Sequence, residues 1–162
     1  MTPEIRTVAE KKLAGMYITM TLAQNRTPEL WQQFMPRRNE IITAVTDELI
    51  SMQVYDAAVA QAGYMTPQSV HQKWAAKEVP DFAQVPGGME TFVLPAGLYA
   101  VFTYRGTPQQ AAPFFRKIFM EWLPASGFVL DDRPHFEVLG PKYKHNDPDS
   151  EEDVYIPVRL KQ

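Results

Sequence analysis

The chain contains no cysteine. Thiol nucleophiles, disulfides and cysteine-ligated metals are excluded with it. Positive charge is not in excess either: 16 Lys and Arg stand against 19 Asp and Glu, a net charge of -3. A nucleic-acid surface needs clustered positive charge, so direct nucleic-acid binding is not expected. No apolar run reaches transmembrane length, and the opening Met1-Thr2-Pro3-Glu4-Ile5-Arg6 has no apolar stretch like that of a signal peptide. A soluble, cytoplasmic protein without a membrane partner is the expectation. The histidines His71, His135 and His145 show no metal-ligand spacing. The acidic run Asp147 to Asp153 lacks the glycine and the spacing of a calcium loop and reads as solvated. No glycine-rich phosphate loop precedes a helix. Neither a metal nor an organic cofactor is expected.

What is present is enough apolar material for a core. Hydrophobic residues make up 45% of the 162 residues and aromatics 12%, which suits one domain, or two small halves sharing a core. Residues 4–23 read as extended, with β-formers dense from Met16 to Leu22. Thr27-Pro28-Glu29 reads as a helix start, with Thr27 as the cap and Pro28 in the first turn. Leu30, Trp31 and Phe34 make its apolar face, continued by Ile41, Ile42 and Val45, with a kink at Pro36. Strands are expected over residues 50–60 and 70–79, followed by a linker from Asp81 to Gly88. The second half opens with strands around Phe92 to Leu94 and Leu98 to Tyr104, bent at Pro95 to Gly97. Thr107 and Gln110 have capping-box spacing before an apolar helical face of Phe115, Ile118, Phe119, Trp122 and Leu123. The last strand is Val154 to Leu160, where Pro157 calls for an edge or bulged position.

The two halves repeat. Gly15-Met16-Tyr17 matches Gly97-Leu98-Tyr99 at an offset of 82 (97 − 15), Thr27-Pro28 matches Thr107-Pro108 at 80 (107 − 27), and Gln53 matches Glu137 at 84 (137 − 53). The order strand, helix, strand, strand also recurs. The expected fold is therefore α+β: two pseudo-symmetric strand-helix-strand-strand modules, near residues 4–80 and 90–161 of a single domain spanning 1–162, with helices packed on a curved antiparallel sheet around a central cavity.

The strand His135-Phe136-Glu137-Val138-Leu139 carries the chemistry. Alternation puts His135, Glu137 and Leu139 on one face. Glu137 is a carboxylate inside an apolar strand: either its face is wet, or it is the charge of a binding site. Its repeat counterpart Gln53 is also polar in an apolar strand. A pseudo-symmetric pair facing one cleft favours the second reading, since clefts between modules hold ligands.

Several stretches resemble one family, the GyrI-like effector-binding domain. They are Leu30-Trp31 with Pro36 to Ile41, Lys73 to Val79, Leu94 to Phe102, Trp122 to Phe128, Arg133 to Glu137, and Asp153 to Val158. Such domains are the ligand-sensing part of multidrug-responsive transcription activators, occur in gyrase-inhibitory proteins, and exist free-standing. The resemblance implies the two-module fold and a glutamate at the cavity floor, the position of Glu137. It also implies aromatic residues that receive lipophilic, often cationic, ligands. The candidate walls are Trp31, Tyr55, Trp74, Phe102 and Tyr155, each of which also has a reading as plain core. Some free-standing relatives are hydrolases that open strained cyclopropane rings with a pocket glutamate and a tyrosine; on that pattern Glu137 and Tyr155 would be catalytic. The chain departs from the activators in having no helix-turn-helix segment.

The expectation is a free-standing module binding a lipophilic cation at Glu137. The alternatives are a cofactor-independent hydrolase using the same carboxylate, and a protein-binding inhibitor of the gyrase-inhibitory type. A protein partner or a homodimer stays open.

Overall fold

The computed structural model describes all residues, 1–162. Its strands are β1 (Glu4–Val8), β2 (Lys11–Met20), β3 (Leu49–Tyr55), β4 (His71–Val79), β5 (Glu90–Leu94), β6 (Gly97–Arg105), β7 (Phe128–Leu130), β8 (His135–Leu139) and β9 (Glu151–Leu160). The helices are α1 (Thr27–Phe34), α2 (Ala57–Ala62) and α3 (Ala111–Lys117). All pairings are antiparallel, in the order β1-β6-β9-β8-β3-β4-β2-β5, with β7 added to β9. The curved sheet does not close. No helix is long and apolar enough to cross a membrane.

That order reads the same from both ends if the halves are exchanged. At its centre β3 pairs with β8, and Met52 lies opposite Phe136. These residues are 84 apart, the same offset that relates Gln53 to Glu137, so the pseudo-twofold axis runs between them. The edge strands are swapped: β1 of the first half pairs with β6, and β5 of the second pairs with β2. The repeated glycines answer to crowding. A Cβ on Gly15 would run into the Ala75 carbonyl of β4, and one on Gly97 into the Arg133 guanidinium.

Local signals explain most elements. In α1, Pro28 sits in the first turn, and Leu30 and Phe34 are buried. Thr27 does not cap it; its hydroxyl donates to Met20 Sδ at 3.6 Å. From Met35 the helix tightens to a 3-10 turn, Met35–Glu40, carrying Pro36. It ends there, so Ile42 and Val45 are exposed and do not extend the apolar face. The expected strand over 50–60 stops at Tyr55, where Asp56 accepts from Ala58 N at 2.9 Å and starts α2; Gly63, at φ 83°, ends that helix. The Thr107–Gln110 capping box is present. α3 runs on through a π-turn, Ile118–Trp122, to Ala125. Pro157 lies where β9 has left β8 and not yet reached β7, so no ladder bond from its nitrogen is needed on that side.

Both long helices cover one face of the sheet. Leu30 and Phe34 of α1 pack on Ala14, Ala75 and Val79. Ile118 and Phe119 pack on Ala100, Phe102 and Val154. The opposite face holds a third core, with Leu13, Ile50, Met52, Trp74, Leu94, Tyr99 and Phe136.

Candidate functional site

Register decides which residues share a face. Glu137 lies opposite Ser51 on β3 and Val154 on β9, and Gln53 lies opposite His135 and Lys73. Cross-strand partners point the same way, and so do residues two apart. Glu137, Gln53, Lys73, His135, Tyr55, His71 and Glu152 therefore all rise from the helix-bearing face. Glu137 is half-buried, and its Oε2 accepts from Gln53 Nε2 at 3.2 Å. The two residues related by the repeat thus touch.

The expected aromatic walls divide between the faces. Tyr55 rises from the carboxylate's face: its ring lies 4.7 Å from that of His71 and 5.0 Å from that of His135. Phe102 is on the same face but buried under the second helical stretch, with Trp122 at 5.2 Å. Trp31 is half-buried on α1, edge-on to Phe34 at 5.8 Å. Trp74 and Tyr155 are behind the sheet. Trp74 stacks on Tyr17 at 4.8 Å. Tyr155 stacks on Phe136 at 4.4 Å, and its hydroxyl accepts from Arg6 Nη1 at 2.9 Å. The structure therefore does not bring these two to Glu137. The reason is alternation: Tyr155 is opposite Phe136 and Trp74 opposite Met52, one position off the carboxylate's face. With Glu48 and Glu78, Phe136 and Tyr155 line a separate surface groove of about 130 Å³.

Two charged neighbours, Lys73 and Glu152, join His135 at the site. Lys73 is 8% exposed, His135 5%, and Glu152 half-buried. Glu152 corrects the reading of Asp147 to Asp153 as a solvated loop: β9 begins at Glu151, so the end of the acidic run enters the sheet. Lys73 has no carboxylate within 4.0 Å. Neither its ammonium, the Tyr55 hydroxyl, the His135 ring nor the Glu152 carboxylate has a hydrogen-bond partner in the protein. Buried polar groups are as a rule paired. Yet none of these atoms is sealed: the one sealed, unpartnered side-chain atom is Arg133 Nη1, which lies against Gly97 and Tyr99. The cluster therefore presents several unsatisfied donors and acceptors on the helix-bearing face of the sheet.

The electrostatics follow from burial and mutual proximity. Burial raises the Glu137 carboxyl above its ordinary 4.5, while the Lys73 charge and the Gln53 amide oppose the rise. Glu152 is pushed up to about 7, first by burial and then by the Glu137 charge. Burial pulls the Lys73 ammonium down, against the two carboxylates. Tyr55 is raised by burial and then by Glu137. His135 is depressed to about 3 by burial, with His71 adding. Near neutral pH both the His135 ring and the Tyr55 phenol are thus uncharged, and Glu137 and Glu152 titrate as a linked pair. No three His, Asp or Glu side chains gather as a metal site. The set can neutralise a charged guest, exchange protons with it, and hydrogen-bond it from several sides.

Comparison with known proteins places the chain in a family and its fold among solved structures. The GyrI-like small molecule binding domain matches residues 1–159. The transcriptional regulator BrlR of Pseudomonas aeruginosa is 33% identical over 131 residues, 80% of this chain and 45% of that protein; the chain thus spans less than half the length of this relative. Among solved structures, SAV2435 bound to tetraphenylphosphonium superposes with a TM-score of 0.72 at 15% identity, covering 98% of this chain and 94% of that one. A hydrolase from Listeria innocua superposes with a TM-score of 0.62 at 11% identity, covering 98% and 92%. At such identities these structures speak for the fold, whereas the family match extends over nearly every residue: the chain belongs to the GyrI-like small-molecule-binding domain family.

Proposed function

We propose that this chain binds a lipophilic cation on the helix-bearing face of the sheet, with Glu137 as its counter-charge. The observation that carries this reading is a half-buried carboxylate at the centre of the sheet whose one side-chain partner is the Gln53 amide. At roughly 4 Å and an effective dielectric near 20, a charge pair is worth about 4 kcal/mol before desolvation. Tyr55 rises from the carboxylate's face, and a cation against a ring face adds about 0.5–2 kcal/mol. Trp31 and Phe102 contribute as walls that seat the two helical stretches. SAV2435, a fold neighbour, binds a cation of this class.

Titration calorimetry with tetraphenylphosphonium and an uncharged tetraphenyl analogue tests the proposal. Glu137→Gln should weaken the cation by on the order of 1–3 kcal/mol and the neutral compound much less. Glu78→Gln, on the other face, should change neither. Equal losses for both ligands would make Glu137 a matter of shape rather than charge.

A second reading rests on Tyr55. Its phenol rises from the same face as Glu137 and is raised by burial and then by that charge, so a carboxylate base and a neutral phenol share the face, as hydrolysis of an electrophile requires. In this reading Tyr55 takes the role that Tyr155, behind the sheet, cannot take. Turnover of a strained electrophile, abolished in Glu137→Gln and in Tyr55→Phe, would establish it.

A further inference from the structure

Lys73 is difficult to reconcile with a site for simple cations. It is 8% exposed and on the same face as Glu137, yet no carboxylate reaches within 4.0 Å of its ammonium. An ammonium on a mostly buried side chain, with no acceptor from the protein, is costly, and it repels any cation nearby. We propose that the site is built for a dipolar ligand, whose anionic group is taken by Lys73 while its cationic group is taken by Glu137. This deepens the cation-site reading and rests on it.

The strand order and register set the charges along a diagonal of the floor, the steps to Glu137 and to Glu152 each shifting by two residues. Across β4, β3, β8 and β9 the floor presents Lys73, Gln53, Glu137 and Glu152. Neighbouring strands are about 4.8 Å apart, so β4 and β8 are separated by roughly 10 Å. That is the span of a fused aromatic system with a charge at each end. Gln53 lies between the poles and already donates to Glu137, which keeps that carboxylate from turning toward Lys73 alone. His71, His135 and Tyr55, around the Lys73 end, are hydrogen-bonding groups without charge near neutral pH and do not compete for the anion. A plain cation gains Glu137 but meets Lys73. A plain anion gains Lys73 but meets two carboxylates. A ligand with both groups meets an opposite charge at Lys73 and at Glu137. A carboxylate, sulfonate or phosphate at the anionic end meets the same need.

The test uses one rhodamine dye in two forms: its methyl ester, a monocation, and its free acid, a zwitterion near neutral pH. The dyes differ at one group, and fluorescence polarisation reads both. The wild-type protein should favour the acid by about fivefold or more. Lys73→Met should abolish that preference by weakening the acid and leaving the ester unchanged or tighter. Lys73→Arg keeps the charge and should keep the preference, which separates charge loss from damage to the fold. Equal affinity for the two dyes, preference for the ester, or failure to bind the acid overturns the dipolar ligand. If the ester still binds and weakens in Glu137→Gln, the cation site stands without it. If Glu137→Gln changes neither dye, both readings fall.

Discussion

Gln53 and Glu137, 84 residues apart in the chain, meet through a hydrogen bond of 3.2 Å across the pseudo-twofold axis. The repeat has a polar residue at the same place in each half, and antiparallel pairing of β3 with β8 brings the two together. One copy is an amide and the other a carboxylate, so the pair is bonded rather than repulsive. The amide also favours the ionised form of Glu137. Gln53→Ala should therefore raise the Glu137 pKa further. At neutral pH it should weaken tetraphenylphosphonium by on the order of 1 kcal/mol, a typical loss for one hydrogen bond, and raising the pH should restore part of it. Carboxyl carbon NMR titration and calorimetry at two pH values check both parts. An unchanged pKa would mean that Gln53 is packing and nothing more.

Glu152 gives a prediction about stability. Its folded-state pKa, about 7, lies above its ordinary 4.5, so between those values the folded state holds more protons than the unfolded chain. Stability from this group is fully present below pH 4.5 and is lost as pH rises through 7. Glu137 and Lys73 face it across the sheet, and Tyr104 and Tyr143 lie close by. Glu152→Gln removes the charge. The variant should gain on the order of 1–3 kcal/mol over wild type at pH 8 relative to pH 4. Urea unfolding at both pH values measures the difference, and a constant difference would deny the burial of this carboxylate.

Arg133 predicts a purely structural loss. Its Nε donates to Asp131 at 2.8 Å, and its Nη2 to the Leu98 and Val158 carbonyls at 2.5 and 3.1 Å. The guanidinium also lies 4.6 Å from the Tyr99 ring centre, over Gly97. It thus ties the start of β6 to the end of β9. A lysine has one nitrogen where this contact uses a planar fork. Arg133→Lys should lose on the order of 2–4 kcal/mol, from several charge-assisted bonds with one carbonyl left bare, while the affinity per folded molecule stays the same. A change in tetraphenylphosphonium affinity would extend the site to this end of the sheet.

Much of this was legible in the residues. Alternation found the strands, Pro28 and the Thr107–Gln110 box found the helix starts, and near-constant offsets found the two modules and the Gln53–Glu137 equivalence. Periodicity within one strand tells which residues share its face, but the relation between faces of different strands depends on register. That is why Trp74 and Tyr155 read as neighbours of Glu137 and lie behind the sheet, and why Lys73, next to Trp74, went unnoticed. Glu152 was hidden for another reason: five acidic residues within Asp147 to Asp153 look like water-facing loop, and only pairing with β6 and β8 draws the last of them into a strand. α2 was missed because Val59 and its alanines fit a strand as well as a helix; the Asp56 cap and Gly63 decided it.

His135 is the remaining test of how dry the site is. Its ring is buried against Tyr55 and Phe119, at 5.0 and 6.1 Å, and makes no hydrogen bond. Burial, with His71 adding, depresses its pKa to about 3 from 6.5. His71, Lys73, Tyr55 and Glu137 are the titratable groups around it. The unfolded chain takes a proton at 6.5 that the folded state refuses until about 3. Stability from this group is therefore complete above pH 6.5 and is lost as pH falls toward 3, the reverse of the Glu152 effect. His135→Phe keeps a flat ring and cannot be protonated. Between pH 7 and 4.5 wild type should lose on the order of 2 kcal/mol more than the variant. The variant should also bind tetraphenylphosphonium at least as well at pH 7, since the wild-type ring is neutral there. Guanidinium unfolding at the two pH values gives the first quantity and calorimetry the second. If wild type and variant lose the same stability on acidification, the ring is hydrated, and the site admits water as far as the floor of the sheet.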